Sequence, residues 1–241
     1  MESRYERQVL VPLSLCDRTA RLSTEGAFAL FMDIAAEHAE FLGLGGAAMA
    51  ARHRFWLTVR TRVRFFRCPA LLEPVTAATW PGKPEKVRCE RYYTLRSGDE
   101  LLADGKTEWA VMDTDTKGIC TLEGLYPPEL TLPDETAGGG PFVRMRDAFD
   151  EAESARCLIR STDIDLGGHM NNAAYVRALM GTFSSEERRA LDIREMEVCF
   201  RAPCYEGETL SVRRRRTEAG TEIAMFRPEG KPALLARILR G

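Results

Sequence analysis

The order of strand-like and helix-like segments constrains this chain more than any other property, because one series is written twice. In the first half, residues 9–15 read as a strand, a turn passes through Asp17, and a helix begins near Thr24 with Glu25 in its first turn. Phe28, Phe31, Met32, Ala35, Ala36 and Ala39 give that helix an apolar face. Strand-like runs follow at 55–66, 75–80, 87–96 and 106–113, separated by prolines, glycines and charged turns. The second half repeats the order: a strand at 155–161, a turn through Asp165, a helix from about Ala173, then strands at 195–200, 209–216, 222–226 and 233–239. Phe66-Arg67-Cys68-Pro69 answers Phe200-Arg201-Ala202-Pro203, each leading into an acidic turn and another strand. Duplication of one α+β unit, a long helix wrapped by an antiparallel sheet, is the simplest account.

Residues 123–153 separate the copies. Tyr126-Pro127-Pro128, Leu132-Pro133-Asp134 and Gly138-Gly139-Gly140-Pro141 cannot sustain a strand ladder, so this stretch is expected to run over the surface as a linker. Its length supports a boundary. The expected organisation is one unit over residues 1–122, the linker over 123–153, and a second unit over 154–241.

A net charge of −2 over 241 residues argues against a general nucleic-acid binder. No run approaches the ~18 apolar residues of a membrane span, and the first residues are charged without a signal-type apolar stretch, so a cytoplasmic protein is expected. The seven cysteines are irregularly spaced with no Cys-x-x-Cys pair, which fits neither a disulfide framework nor a zinc site. Reduced thiols and no metal or cofactor are expected.

The densest chemistry lies between the second unit's first strand and its helix. Residues 160–175 pack Asp165, Gly167, Gly168, His169, Asn171 and Asn172 between the apolar run Cys157-Leu158-Ile159 and a helical face of Tyr175, Leu179 and Phe183. Asn171 or Asn172 is the natural N-cap. The glycines let the backbone turn tightly, and a helix start offers N–H groups and positive potential to an oxygen gaining charge. Any one of these residues reads equally as a turn, cap or surface group; together they supply an acid/base pair and close backbone approach at one spot.

Asp-x-x-Gly-His-x-Asn-Asn-x-x-Tyr over 165–175 resembles the signature of hotdog-fold thioesterases, and the surrounding chain resembles the acyl-ACP thioesterases, whose pattern is Asp-x-Asn-x-His-x-x-Asn. Asp165, His169 and Asn172 match it, while Gly167 stands where that family has its Asn. Thr79-Trp80-Pro81, the run from Glu108 to Asp113, and the helix segment around Met32 are also similar to that family, so the resemblance covers most of the chain. It implies a double hotdog that hydrolyses fatty acyl-ACP, and hence an acyl carrier protein with its acylated phosphopantetheine as partner. A homodimer is a further expectation.

By the resemblance, Asp165 is the base or orienting carboxylate, His169 the proton-transfer group, and Asn172 organises the turn. Backbone N–H groups around Gly167, Gly168 and the helix start would hold the oxyanion. Met32, Ala35 and Ala36 would line the acyl tunnel, with core packing as their other reading. Aligning the strand around Phe200 puts Cys204 on the family's Cys and Pro203 where its Glu would be. Cys204 is then an activated thiolate, a water-binding accessory or a buried inert thiol, and Glu206 and Glu208 are near enough in sequence to stand in for the lost acid. Arg213-Arg214-Arg215-Arg216 and the arginines at 52, 54, 60, 62, 64 and 67 are the two candidate contacts for an acidic carrier. The Gly168-His169 pair is also similar to single-hotdog acyl-CoA thioesterases, which makes acyl-CoA hydrolysis the second activity; a non-catalytic acyl-binding protein is the third reading.

Overall fold

A computed structural model describes residues 3–241, which divide between Gly140 and Pro141 into two compact units. In the first, β1 (Tyr5–Leu10) leads through a 3-10 turn (Leu13–Leu15) into α1 (Thr24–Phe41) and the short α2 (Gly46–Ala50). β2 (Arg54–Phe65), β3 (Pro74–Pro81), β4 (Cys89–Ser97) and β5 (Glu100–Asp113) follow. The strands pair antiparallel in the order β1-β3-β4-β5-β2. The Ser23 side chain caps α1 by accepting the Gly26 amide. The helix buries Phe28, Leu30, Phe31, Ile34, Ala35 and His38, and Phe31 stacks on Tyr93 of β4 with ring centroids 4.9 Å apart. Gly105 is glycine for the same reason: a Cβ there would lie 2.7 Å from the Arg62 carbonyl and 3.1 Å from the Phe31 ring.

The second unit holds β6 (Glu153–Leu158), a 3-10 turn (Ser161–Asp163), α3 (Asn172–Gly181), α4 (Ser185–Ala190), β7 (Ile193–Phe200), β8 (Thr209–Thr217), β9 (Gly220–Phe226) and β10 (Pro232–Arg240). Its order is β6-β8-β9-β10-β7, the first unit's order element for element. Each unit is a hotdog, and the chain is a double hotdog.

Three details differ from the sequence expectation. Each first strand lies earlier in the chain than expected, Tyr5–Leu10 rather than 9–15 and Glu153–Leu158 rather than 155–161, because a 3-10 turn takes over where the ladder stops; in the first unit Pro12, which lacks an N–H, leads into it. The repeat is also one residue out of step with the Phe-Arg match. The amides of Phe66 and Arg67 share the Leu102 carbonyl just as those of Arg201 and Ala202 share that of Ala233, so Phe65 is the counterpart of Phe200.

The third concerns residues 123–153, which are held down on both sides of the division. Leu122, Leu125 and Leu130 are buried with Leu42, Leu44 and Val111, Trp80 donates to the Glu135 carbonyl, and the buried Arg62 donates to the carbonyls of Gly138 and Gly140 at 3.2 and 2.9 Å. Past the division, Phe149 packs on Ala224, Phe226 and Leu235, and the Val143 amide donates to the fully buried Glu197. Charged residues on the sheets need partners once covered, and the segment's backbone supplies them.

Candidate active site

The candidate site is the loop between β6 and α3. Ile159 continues from β6 by exchanging hydrogen bonds with the backbone of Gly207 and Glu208. The Asp163 carboxylate then accepts the Arg160 amide and the Arg177 guanidinium (2.7 Å), and its carbonyl accepts the Asn171 amide. An isolated bridge between Ile164 and Met170 closes a tight loop over 165–169. Inside it Asp165 N–H donates to the His169 carbonyl and Gly168 N–H to the Asp165 carbonyl, both at 3.0 Å. Asp165 Oδ1 accepts the Gly167 amide at 2.8 Å. Gly168 has φ +76°, a left-handed conformation that glycine adopts without strain.

This loop brings His169 Nδ1 to 3.6 Å from Asp165 Oδ1, with both side chains about one quarter exposed. That is an ion-pair separation, longer than a hydrogen bond. Asn171 is the N-cap and accepts the Ala173 amide; Asn172 opens the helix. The positive end of α3 therefore lies next to His169 in sequence. The amides of Gly167 and Gly168 are donated within the loop itself, which leaves them a structural task in this conformation.

Cys204 adjoins the loop from the other side: its carbonyl accepts the Met170 amide at 2.8 Å. Its thiol is fully buried, and burial pushes it up to about 11, so the sulfur is protonated at neutral pH. The Tyr175 hydroxyl donates to the Ala202 carbonyl at 3.1 Å, and its ring packs edge-on against Phe200. Sequence reasoning gave Tyr175 only a place on the helix face; its position in the motif was the available signal. Glu206 is exposed. Glu208 accepts the Tyr205 amide and pairs with Arg227 at 2.7 Å, the same staple that Glu73 makes with the Ala70 amide and Arg67 in the first unit.

The proposed tunnel residues do not share one surface. Ala35 is buried, Met32 half-buried and Ala36 exposed, since consecutive helical residues point about 100° apart. Most of the arginines have internal partners. Arg213 donates to the Phe149 carbonyl, Arg214 to Thr182, and Arg215 to Glu151; Arg60 pairs with Glu108, Arg64 with Asp104 and Arg67 with Glu73 and Glu100. An open groove in the second unit is lined by Phe149, Arg156, Glu208, Arg213 and Phe226, but neither Asp165 nor His169 lines it. Among the described residues no three His, Cys, Asp or Glu side chains gather as metal ligands, and no helix is long and apolar enough to cross a membrane.

Residues 2–125 match the family model of the acyl-ACP thioesterase N-terminal domain, and residues 146–229 that of the C-terminal domain. The chain is 20% identical over 201 residues to an oleoyl-acyl carrier protein thioesterase of Coriandrum sativum, covering 75% of this chain and 54% of that protein. It is 22% identical over 249 residues to an acyl-[acyl-carrier-protein] hydrolase of Cuphea viscosissima, covering 90% and 59%. The chain thus spans little more than half the length of these curated relatives. Among solved structures, an acyl-ACP thioesterase from Bacteroides thetaiotaomicron superposes with a TM-score of 0.90 at 19% identity, covering 98% of this chain and 97% of that one. The 12:0-ACP thioesterase from Umbellularia californica gives 0.83 at 17%, covering 99% and 97%.

Proposed function

Because this chain belongs to the acyl-ACP thioesterase family, we propose that it hydrolyses fatty acyl-ACP to free fatty acid and holo-ACP, as a step of fatty acid biosynthesis. The observation that carries the reading is the Asp165–His169 contact, held by a closed loop at the start of α3. A thioester needs only a modest push, because its carbonyl is electrophilic and its thiolate leaves readily. His169 takes a proton from water as the water oxygen bonds to the carbonyl carbon. The oxyanion that forms is stabilised by the positive end of α3. As the tetrahedral intermediate collapses the C–S bond breaks, and the protonated His169 returns its proton to the leaving pantetheine sulfur. Asp165, with Oδ1 already tied to the Gly167 amide and 3.6 Å from His169 Nδ1, orients the imidazole electrostatically and favours the tautomer protonated at Nδ1, which leaves Nε2 for the substrate. Cys204 acts through its carbonyl rather than its sulfur, and Asn172 organises the helix start.

All seven cysteines are thiols, which fits a reducing cytoplasm. The carrier would meet exposed arginines such as Arg52 and Arg216. The test compares hydrolysis of acyl-ACP and acyl-CoA of one chain length across a salt series. Preference for acyl-ACP that fades as salt rises supports the reading, because carrier docking is then electrostatic. Equal or better turnover of acyl-CoA, insensitive to salt, favours the acyl-CoA thioesterase, and tight acyl binding without turnover favours a binding protein.

A further inference from the structure

The two units share one backbone hydrogen-bond pattern where the loop before the helix meets the turn after the central strand. In the first unit residues 70–73 make that turn: the Glu73 amide donates to the Ala70 carbonyl, the Leu72 amide to that of Val11, and the Val11 amide to that of Glu73. Residues 205–208 repeat it bond for bond, Glu208 donating to Tyr205, Gly207 to Ile159 and Ile159 to Glu208. The glutamate side chain pins each turn by accepting the Ala70 or the Tyr205 amide. The third turn residue has positive φ in both, Leu72 at 62° and Gly207 at 84°. Leu22 and Met170 then dock the two loops by donating to the carbonyls of Pro69 and Cys204.

One bond of this pattern is missing from the second unit. In the first, the Leu71 amide donates to the Ala20 carbonyl at 2.8 Å, which completes a two-bond bridge between Arg21 and Ala70. The counterparts are the Glu206 amide and the Gly168 carbonyl, and neither has a hydrogen-bond partner among the described residues. The turn that presents Glu206 is otherwise the same, so its N–H is aimed at the loop as that of Leu71 is. His169 and Tyr205 therefore flank an opening where Arg21 and Ala70 are bridged. The amides of Gly167 and Gly168 are spent inside the loop, and those of Tyr205, Gly207 and Glu208 inside the turn. Glu206 holds the one unspent N–H of residues 205–208. A backbone donor fixed in place, unengaged and beside the proton-transfer residue is what a developing oxyanion requires.

We propose that the Glu206 amide is an oxyanion donor: the thioester carbonyl oxygen enters the opening beside His169 and accepts this N–H. As the water oxygen bonds to the carbonyl carbon, its proton passes to His169 and the C=O electron pair moves onto the oxygen held by Glu206. The pair returns as the C–S bond breaks, and His169 gives its proton to the sulfur. The inference rests on the thioesterase reading, deepens it by adding a directed donor to the field of α3, and uses residues of the second unit alone.

The turn provides the test. Its bond from the Glu208 amide to the Tyr205 carbonyl, with positive φ at Gly207, makes it type II, and Glu206 occupies the second position, where proline is common. Glu206→Pro removes the N–H and keeps the turn, whereas Glu206→Ala keeps the N–H and removes the exposed carboxylate. The ratio of the two variants reports the amide alone. Three quantities are measured beside wild type: thiol release from acyl-ACP, binding of an S-alkyl-ACP thioether that has no carbonyl, and melting temperature. The expected result is a kcat for Glu206→Pro about a hundredfold below that of Glu206→Ala, with thioether binding the same in both. Melting temperature should hold or rise in Glu206→Pro and fall in Leu71→Pro, which breaks the bond to Ala20. Equal kcat in Glu206→Pro and Glu206→Ala overturns the proposal and leaves the thioesterase reading standing. Weakened thioether binding that accounts for the whole loss overturns it too, as does a melting temperature lowered as far in Glu206→Pro as in Leu71→Pro. Absence of thiol release by the wild type from acyl-ACP and acyl-CoA alike removes the thioesterase reading and this proposal together.

Discussion

Asp17 and Asp165 build the same turn in the two units. Each Oδ1 accepts the amide two residues on, from Thr19 and from Gly167, at 2.8 Å in both. Each aspartate's own amide donates to the carbonyl four residues on, Arg21 at 2.8 Å and His169 at 3.0 Å. The third residue after each aspartate has positive φ, Ala20 at 55° and Gly168 at 76°. Leu22 and Met170 then close each loop by donating to the carbonyls of Pro69 and Cys204. The first copy serves as an internal control: what both copies share is architecture, and what only the second has is a candidate for chemistry. Asp165's bond to the backbone is shared, whereas its contact with an imidazole is not, because Arg21 stands at the position of His169 and donates to the Cys68 carbonyl.

Replacing the acid therefore separates its two tasks. Asp165→Asn keeps an acceptor for the Gly167 amide and loses the charge. Its melting temperature should stay within a few degrees of wild type while kcat falls at least about tenfold. Asp165→Ala should lose the same activity and about 1 kcal/mol of stability as well, readable by urea unfolding.

Tyr175 fastens the Ala202 carbonyl from below the site, a task the first unit's counterpart, Ala27, cannot perform. Tyr175→Phe should cost about 1 kcal/mol in stability and lower kcat several-fold with KM unchanged. A fall in KM-controlled binding with kcat intact would mean that Tyr175 meets substrate directly.

Cys204 offers a test of nucleophilic catalysis. With its thiol held at about 11 by burial, it should resist iodoacetamide in the folded protein at neutral pH, and Cys204→Ala should keep hydrolysis within about threefold. Loss of two orders of magnitude in that variant, without unfolding, would restore the sulfur to the mechanism.

Acid stability should report the first unit's staple. Arg67 beside Glu73 holds that carboxyl at about 2, below its ordinary value of 4.5. The folded state thus has the lower pKa, so the pair stabilises fully above about 4.5, and its contribution declines as pH falls toward and through about 2. Partial exposure limits it to about 1 kcal/mol. Glu73→Gln should unfold more easily in urea at pH 7, and the difference from wild type should shrink as pH falls toward about 2.

The fold was legible wherever local chemistry decides. The first helix start near Thr24 was marked by an acidic first turn, the second by a capping amide at Asn171 or Asn172, each ahead of apolar periodicity, and strands by runs between prolines and glycines. Tertiary partnerships were not. Leu122, Leu125 and Leu130 have no periodicity to mark them as anchors in a proline-rich stretch. Nothing local to Arg213-Arg214-Arg215-Arg216 foretells that Arg215 finds Glu151, 64 residues away. Arg91 and His38 lie 53 residues apart and meet only through α1 packing on β4. At the site, the motif disclosed which residues gather, and only the folded loop discloses that the glycine amides are already engaged.

The central claim is that His169 moves the proton at a loop whose other copy is inert. The most direct measurement is thiol release from acyl-ACP by wild type and by His169→Arg, the substitution that gives the second loop the first loop's residue. The account predicts a variant that folds with wild-type stability and loses at least about a hundredfold in kcat. A folded variant that retains near wild-type turnover would contradict it, and the chemistry would have to be sought away from this loop.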